Sequence, residues 1–369
     1  MLKLPVSHLV SGMQLARPVY GTRGEKLLNK GVELTAAYVM ALRRRGVLAV
    51  YVGDPVNEVY EDILEEEVRI NAMEAVRAWV DNDAKQKNLA QIIQSVETIV
   101  EEILAGKQCV NGLTEICTAD AYTYMHSVDV CVLSLAVGVK LGFTKKDLIR
   151  LGTGSILHDL GKTRVPPEIL NKPGKLTPEE FAEIKKHPVL GYKMLLSQTS
   201  EIDPVAASIV LNHHERYDGS GYPQGLKGSS IGTMPTICAV ADVYNAITTD
   251  RVYRPAFPPH EAYEMLMASG NSTFDSRIVN TFLTCVSPYP VGSLIKLSNG
   301  FIARVKKTRK NYPFRPIVSL LNTDSKNTEI DLIKENSIVI TGVVGPSEVC
   351  MLTTEGRGIV ATNSATYGA

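Results

Sequence analysis

Residues 211–223 read LNHHERYDGSGYP: two adjacent histidines, His213 and His214, then Glu215, then a glycine-rich turn. The segment before it, PVAASIVLN (204–212), repeats apolar residues at helical intervals. Neighbouring side chains on a helix point about 100° apart, so both histidines can ligate only where the helix is ending or where a metal cluster straddles them. YDGSGYP supplies that ending. Asp218 before Gly219 and Gly221 is turn chemistry that stops a helix and lets backbone approach a ligand, and Tyr222 with Pro223 fixes a rigid apolar edge.

Five of the seven histidines lie between Met125 and Glu215: His126, His158, His187, His213 and His214. Asp159 follows His158 directly in SILHDLGK (155–162), and Asp242 sits inside CAVADVYNA (238–246), a segment otherwise so apolar that a lone charge is expensive there. Neutral imidazoles with carboxylates are ligands for zinc, manganese or iron. Seven such ligands exceed one tetrahedral site. They suit two metals about 3.5–4 Å apart bridged by a carboxylate, the arrangement used for in-line attack on phosphate esters. Taken singly, each histidine is an ordinary core or surface residue; the His-Asp and His-His doublets together with the helix-buried Asp242 make the cluster. Lys162 lies four residues after His158 and three after Asp159, on the same face if the helix persists through Gly161, and there it can neutralise a phosphate oxygen. The plainer reading of Lys162 is a helix C-terminal lysine satisfying the dipole. His187 precedes Pro188, which predicts His187 at an N-cap and Pro188 at the first helical position.

The rest of the chain frames this centre. Residues 1–54 read as a small mixed module, with ARPVY (16–20), EKLLN (25–29), a helical TAAYVMALRRRG (35–46) and a strand LAVYVG (48–53). Residues 55–107 read as a helical connector, with Leu89, Ile92, Val96, Ile99 and Ile103 stepping by three and four. That stripe packs on its own domain or makes a homodimer. Residues 108–287 form the helical centre. After Tyr289, SLIKLSNGFIARVKK (293–307) alternates about Asn299 and Gly300 and predicts a hairpin with both turn residues at positive φ, opening a small β module over 288–369. The fold class expected is mainly α, flanked by a mixed α/β module and a β extension. Nothing in the sequence assigns the stretch after Gly345.

With 39 basic and 39 acidic residues the chain has no formal net charge, which disfavours a phosphate-tracking role on DNA or RNA or on an anionic membrane. Six scattered cysteines without a CxxC pair and no apolar leader predict a reduced, cytoplasmic protein. The most apolar run, VCVLSLAVGVKLGF (130–143), carries Lys140 and falls short of the roughly 18 residues a membrane span needs, so it reads as a buried helix.

HDLGK (158–162), HHERYDGSGYP (213–223) and ADVYNAITTDRVYR (241–254) resemble the HD-GYP family, a branch of the HD-domain metal phosphohydrolases. The resemblance covers about residues 118–287. It implies hydrolysis of cyclic di-GMP to the linear dinucleotide pGpG and onward to GMP in some members. It makes His126, His158, Asp159, His187, His213, His214 and Asp242 metal ligands for two divalent ions, iron or manganese foremost, with Asp159 bridging. Lys162 would touch the scissile phosphate, and Arg251 and Arg254 would hold the nucleotide's phosphates, a task suited to the planar guanidinium. Asp218, Gly221 and Tyr222 shape the rim and offer a surface to partners such as diguanylate cyclases with GGDEF domains. Three-metal members carry a glutamate one helical turn before the first histidine ligand. This chain has Tyr122 there, which implies a two-metal centre. RVYRPA (251–256) also departs from the family at Val252 and near Arg254. The readings that compete with a phosphodiesterase for cyclic di-GMP are a non-catalytic cyclic di-GMP sensor and a phosphodiesterase for another cyclic dinucleotide.

Overall fold

The structure is a computed structural model and describes residues 2–21, 24–53, 63–81, 88–105, 122–170, 172, 174–199, 201–250, 256–309, 311–321, 328–345 and 348–349. The side chain of Tyr122, and all of Arg251, Arg254 and the stretch after Val349, lie outside those residues.

The chain is mainly α. Helices α2 (Glu66–Asp81) and α3 (Leu89–Leu104) precede α4 (Tyr122–Lys140) and α5 (Lys145–Ile156). A 3₁₀ turn, Leu160–Arg164, leads to α6 (Pro167–Leu170), α7 (Pro178–Ile184), α8 (His187–Gln198) and α9 (Pro204–Asn212). Then come α10 (Thr233–Thr248), α11 (Pro259–Ala268) and α12 (Ser276–Leu283). Local signals set the helix starts. Asn88 accepts from the backbone N–H of Ala90 at 3.0 Å, Thr144 from Asp147 at 3.2 Å and Asp203 from Val205 at 2.8 Å. Thr177 and Glu180 close a capping box over α7.

One apolar core runs from Ile63 to Val286 and takes in α2 and α3 as well as the later helices. The stripe Leu89, Ile92, Val96, Ile99 and Ile103 is buried in that core, so this face of α3 is covered by its own chain. Arg150 on α5 donates through Nε to Asp203 at 2.8 Å, tying α5 to the start of α9. The VCVLSLAVGVK run forms the buried second half of α4, and no helix among the described residues is long and apolar enough to cross a membrane. Cys131, Cys238 and Cys285 are buried, and the Cys285 thiol donates to the Thr281 carbonyl at 3.5 Å.

The amino-terminal residues form β1 (Leu2–Pro5), β2 (Val19–Tyr20), β3 (Lys26–Leu28), α1 (Ala36–Arg44) and β4 (Ala49–Val52), with β1 antiparallel to β4 and β2 to β3. Their core continues into Leu294, Val344 and Val349, so the two ends of the described chain share one apolar cluster. The carboxy-terminal sheet has β5 (Leu294–Leu297), β6 (Ile302–Lys307), β7 (Ile317–Leu320), β8 (Glu329–Asp331) and β9 (Ile340–Val343), in the order β8-β7-β6-β5-β9. The β5–β6 hairpin forms as expected, but by a different turn. Gly300 alone takes a positive φ, 84°, while Leu297 and Phe301 bracket a three-residue loop in which Asn299 keeps a negative φ.

Candidate metal centre

Four segment ends converge on Asp159. Helix α5 stops at Ile156, so His158 and Asp159 lie in the connection to the 3₁₀ turn and not on a continuing helix. Lys162 still meets Asp159, at 2.6 Å from Nζ to Oδ2, because the tighter winding places residues three apart together. His187 is the first residue of α8 with Lys186 as its cap, one position later than the Pro188 argument predicts. A Cβ on Gly161 would stand 1.9 Å from the His187 carbonyl oxygen, so only glycine lets the 3₁₀ turn and α8 approach this closely. Helix α9 ends at Asn212 with His213 as its C-cap, which satisfies the condition for both histidines to face one site; their ring centroids are 4.2 Å apart.

The hydrogen bonds decide which nitrogen each ring presents. His158 Nδ1 lies 2.8 Å from the Ser155 carbonyl, His187 Nδ1 2.8 Å from that of Ile184 and His213 Nδ1 3.0 Å from that of Val210. A carbonyl only accepts, so each Nδ1 carries the proton and each Nε2 carries a lone pair. Those Nε2 atoms point at carboxylate oxygens: His187 and His213 stand 3.3 and 3.8 Å from Asp159 Oδ1, and His158 stands 3.4 Å from Asp159 Oδ2 and 3.8 Å from Asp242 Oδ1. His126 Nε2 stands 3.1 Å from Asp242 Oδ1 and 3.8 Å from Asp159 Oδ2. His187 and His213 bring their Nε2 atoms to 3.3 Å of one another. Lone pairs held this close in a buried site repel unless a cation sits among them. His158 Nε2 and Asp159 Oδ1 are buried without a hydrogen bond of good geometry. The donor set therefore fits divalent metal, in two groups: Asp159, His187, His213 and His214, and His126, His158 and Asp159. Asp159 belongs to both, and Asp242 faces the second.

Electrostatics keeps the ligands in their metal-binding forms. Burial pushes His213 down to about 4, with the neighbouring His158 and His187 adding to it, and burial with His213 beside it pushes His214 well below its usual value. Burial alone would raise Asp159, but His158 and Lys162 hold it well below the carboxylate range. Burial opposes Asp242 in the same way and is outweighed by the hydrogen bond and charge of His126 and the charge of His158. His158 is the exception: burial lowers it, yet Asp159 wins and the ring is raised.

The turn after His214 is held from beneath. The buried Glu215 carboxylate accepts the backbone N–H groups of Gln224 at 2.7 Å and Leu226 at 2.9 Å. A Cβ on Gly221 would stand 2.3 Å from the Arg216 nitrogen. Tyr222 stacks on His214 with centroids 4.7 Å apart, and Lys185 Nζ lies 5.4 Å from the Tyr222 ring. Asp218 is exposed and turned into its own loop, accepting from the Ser220 N–H at 2.9 Å and its hydroxyl at 2.6 Å. A cleft of about 290 Å³ reaches Asp159 and Lys162 and is walled by Val76, Val80 and Tyr124. Arg251 and Arg254 lie outside the described residues; before them, Asp250 accepts from the Ala256 N–H at 3.0 Å and pairs with Lys3 of β1 at 2.7 Å.

Sequence reading passed over Glu215, which looks like a solvated loop acid until its two backbone donors are seen. It also passed over Asn245 and Asp129, whose helix neighbours are apolar just as those of Asp242 are. The two remaining histidines, His8 and His260, stand apart from the cluster: His8 contacts Ser7 and His260 stacks on Tyr289.

Residues 99–278 match the HD domain, and residues 294–351 match the KOW domain associated with HD domain. The similarity to HD domains thus takes in every residue of the candidate metal centre. The cyclic di-GMP phosphodiesterase PA4108 of Pseudomonas aeruginosa is 38% identical over 245 residues, which cover 64% of this chain and 59% of that protein. The cyclic di-GMP phosphodiesterase response regulator RpfG of Xanthomonas campestris is 41% identical over 147 residues, 40% of this chain and 39% of that protein. The chain thus spans about two fifths to three fifths of these curated relatives. Among solved structures, Bd1817, an HDG"Y"P protein from Bdellovibrio bacteriovorus, aligns with a TM-score of 0.49 at 18% identity, over 76% of this chain and 98% of that one.

Proposed function

We propose that this chain is a metal-dependent phosphodiesterase that hydrolyses cyclic di-GMP to pGpG in second-messenger signalling. The observation that carries the reading is the convergence of imidazole Nε2 atoms on the buried, doubly shared Asp159. The substrate is supported by relatives named as cyclic di-GMP phosphodiesterases. Two divalent ions, iron or manganese, would be held by His187, His213, His214 and Asp159 on one side and by His126, His158, Asp159 and Asp242 on the other. When bound, such a pair supplies Lewis acidity and an activated water for attack on the phosphodiester. The chain's own residues do the rest. Asp159 stays ionised and ties the two groups together. Lys162 exchanges its contact with Asp159 for a non-bridging phosphate oxygen, and Arg251 and Arg254 bind the remaining phosphate charge. Tyr222, packed on His214, and Gly221 form a rim against which the nucleotide lies, with Asp218 setting the shape of that rim and GGDEF-domain proteins docking on its outer side. Tyr122 in the place of a third-metal carboxylate stops the reaction at the linear dinucleotide.

A second reading, hydrolysis of a mixed cyclic dinucleotide, is favoured by relatives of Vibrio cholerae named as 3'3'-cGAMP-specific phosphodiesterases, one of them 30% identical over 197 residues. A chromatographic time course with cyclic di-GMP and 3'3'-cGAMP, on protein purified anaerobically with its metals counted, separates the two. Conversion of cyclic di-GMP that vanishes in Asp159→Ala supports the proposal. A metal-filled protein that leaves cyclic di-GMP intact refutes it.

A further inference from the structure

His126 is held differently from the other ligand histidines. His158, His187 and His213 each bond Nδ1 to a main-chain carbonyl three residues back, a partner fixed by the chain itself. His126 lies inside α4, where the helix's own ladder uses the nearby carbonyls, and its Nδ1 meets Asn245 Oδ1 of α10 at 2.6 Å. An amide can turn either its oxygen or its NH₂ toward a ring nitrogen, so Asn245 does not by itself choose the tautomer. Its Nδ2 lies 3.3 Å from Asp129 Oδ2. A carboxylate only accepts, so Asp129 takes the NH₂, leaves Oδ1 for His126 and makes His126 Nδ1 the donor. The lone pair then falls on Nε2, facing Asp242 and Asp159. Asp129 is itself buried and bonded by Nη1 of Arg69, a wholly buried residue of α2.

We propose that Arg69 is a positioning residue of the metal centre, acting through Asp129 and Asn245 to fix which ring nitrogen of His126 faces the metal. The inference rests on the metal-centre reading above. Arg69 lies outside residues 99–278 that match the HD domain, so helix α2 completes a site that the matched segment does not contain whole. The energetics point the same way. A buried ion pair stabilises no better than apolar residues of equal volume. What an apolar pair does not do is orient an amide. The same helix takes the amino-terminal module's Lys26, paired with Glu66 at 3.4 Å, so the module rests on the element that carries Arg69.

The test is titration of the full-length apo protein with Co²⁺, followed by ligand-field absorbance. The wild type is expected to bind two equivalents. The double variant Arg69→Met/Asp129→Leu, which removes both charges and keeps the core apolar, should fold and bind one Co²⁺ about 10–100-fold more weakly while the other is unchanged, the usual effect of losing a ligand's outer partner. Two sites as tight as in the wild type overturn the inference. The decisive companion is the swap Asp129→Asn/Asn245→Asp. The new carboxylate at 245 can only accept from His126, and the new amide at 129 donates to it while its oxygen accepts from Arg69. Wild-type Co²⁺ affinity in the swap supports the relay whether or not the first variant folds. A swap that fails to fold, or folds and loses one site, overturns it, because the relay makes the two polarities interchangeable. A wild type that takes up no Co²⁺ defeats the metal-centre reading itself and this inference with it.

Discussion

The two halves of the candidate metal centre are built on different terms. His187, His213 and His214 stand at the start of one helix and the end of another, and two of their rings are aimed by carbonyls three residues away. His126 and Asp242 stand inside long helices, and His126 is aimed through side chains 116 and 119 residues apart in sequence. The first half is a product of local chain geometry. In the second, His126 is aimed only when α2, α4 and α10 have packed, while His158 keeps its local partner, the Ser155 carbonyl. Asp159 sits between them, and a cluster so divided can lose one half while keeping the other.

The largest effect should come from the shared residue. Asp159→Ala is expected to lose both metals and bring turnover to background, measured by metal analysis beside chromatography; retention of one full metal equivalent would show that the halves do not depend on Asp159 equally. Gly161→Ala drives a Cβ into the His187 carbonyl and should cost about 3 kcal/mol, read from the urea midpoint of the apo protein. An unchanged midpoint would mean that the 3₁₀ turn and α8 are not locked together.

The local half should also dominate the acid sensitivity of the apo protein. His213 takes its proton near 6.5 when unfolded but at about 4 when folded, so between those values the unfolded chain binds more protons and stability falls as pH drops. The difference, 6.5 − 4, corresponds to about 3 kcal/mol at most. His214 acts in the same direction, while the raised His158 acts in the opposite one. Thermal melts of apo protein from pH 7 to pH 4 should show the loss, and His213→Gln should flatten it; a pH-independent melt contradicts the assignment.

Lys162→Met should leave both metals in place and lower kcat roughly 100-fold, the scale of losing one transition-state donor. If metal content falls as well, Lys162 serves Asp159 and not the phosphate. The smallest effect belongs to Asp218→Ala, which removes the acceptor of two Ser220 hydrogen bonds on the surface and should cost about 1 kcal/mol without touching metal binding.

Much of this was legible in the sequence. The helical stripe of α3, the buried α4 and the β5–β6 hairpin follow from periodicity and turn residues. The clustering of five histidines with Asp159 follows from chemistry that few buried groups share. The misplacements were local ones. A helix carried through Gly161 becomes a 3₁₀ turn because Gly161 must lie against α8, and His187 shifts from cap to first residue.

The sequence by itself determined that this chain gathers histidines and aspartates able to bind metal on a helical domain, because His-Asp and His-His doublets beside a glycine-rich turn seldom share one segment for another reason. Only the tertiary structure decided which nitrogen His126 presents, that Asp159 is the shared group, and that Arg69 stands behind His126. Those depend on donors and acceptors meeting across helices far apart in the chain, and no periodicity along one segment encodes its partner on another.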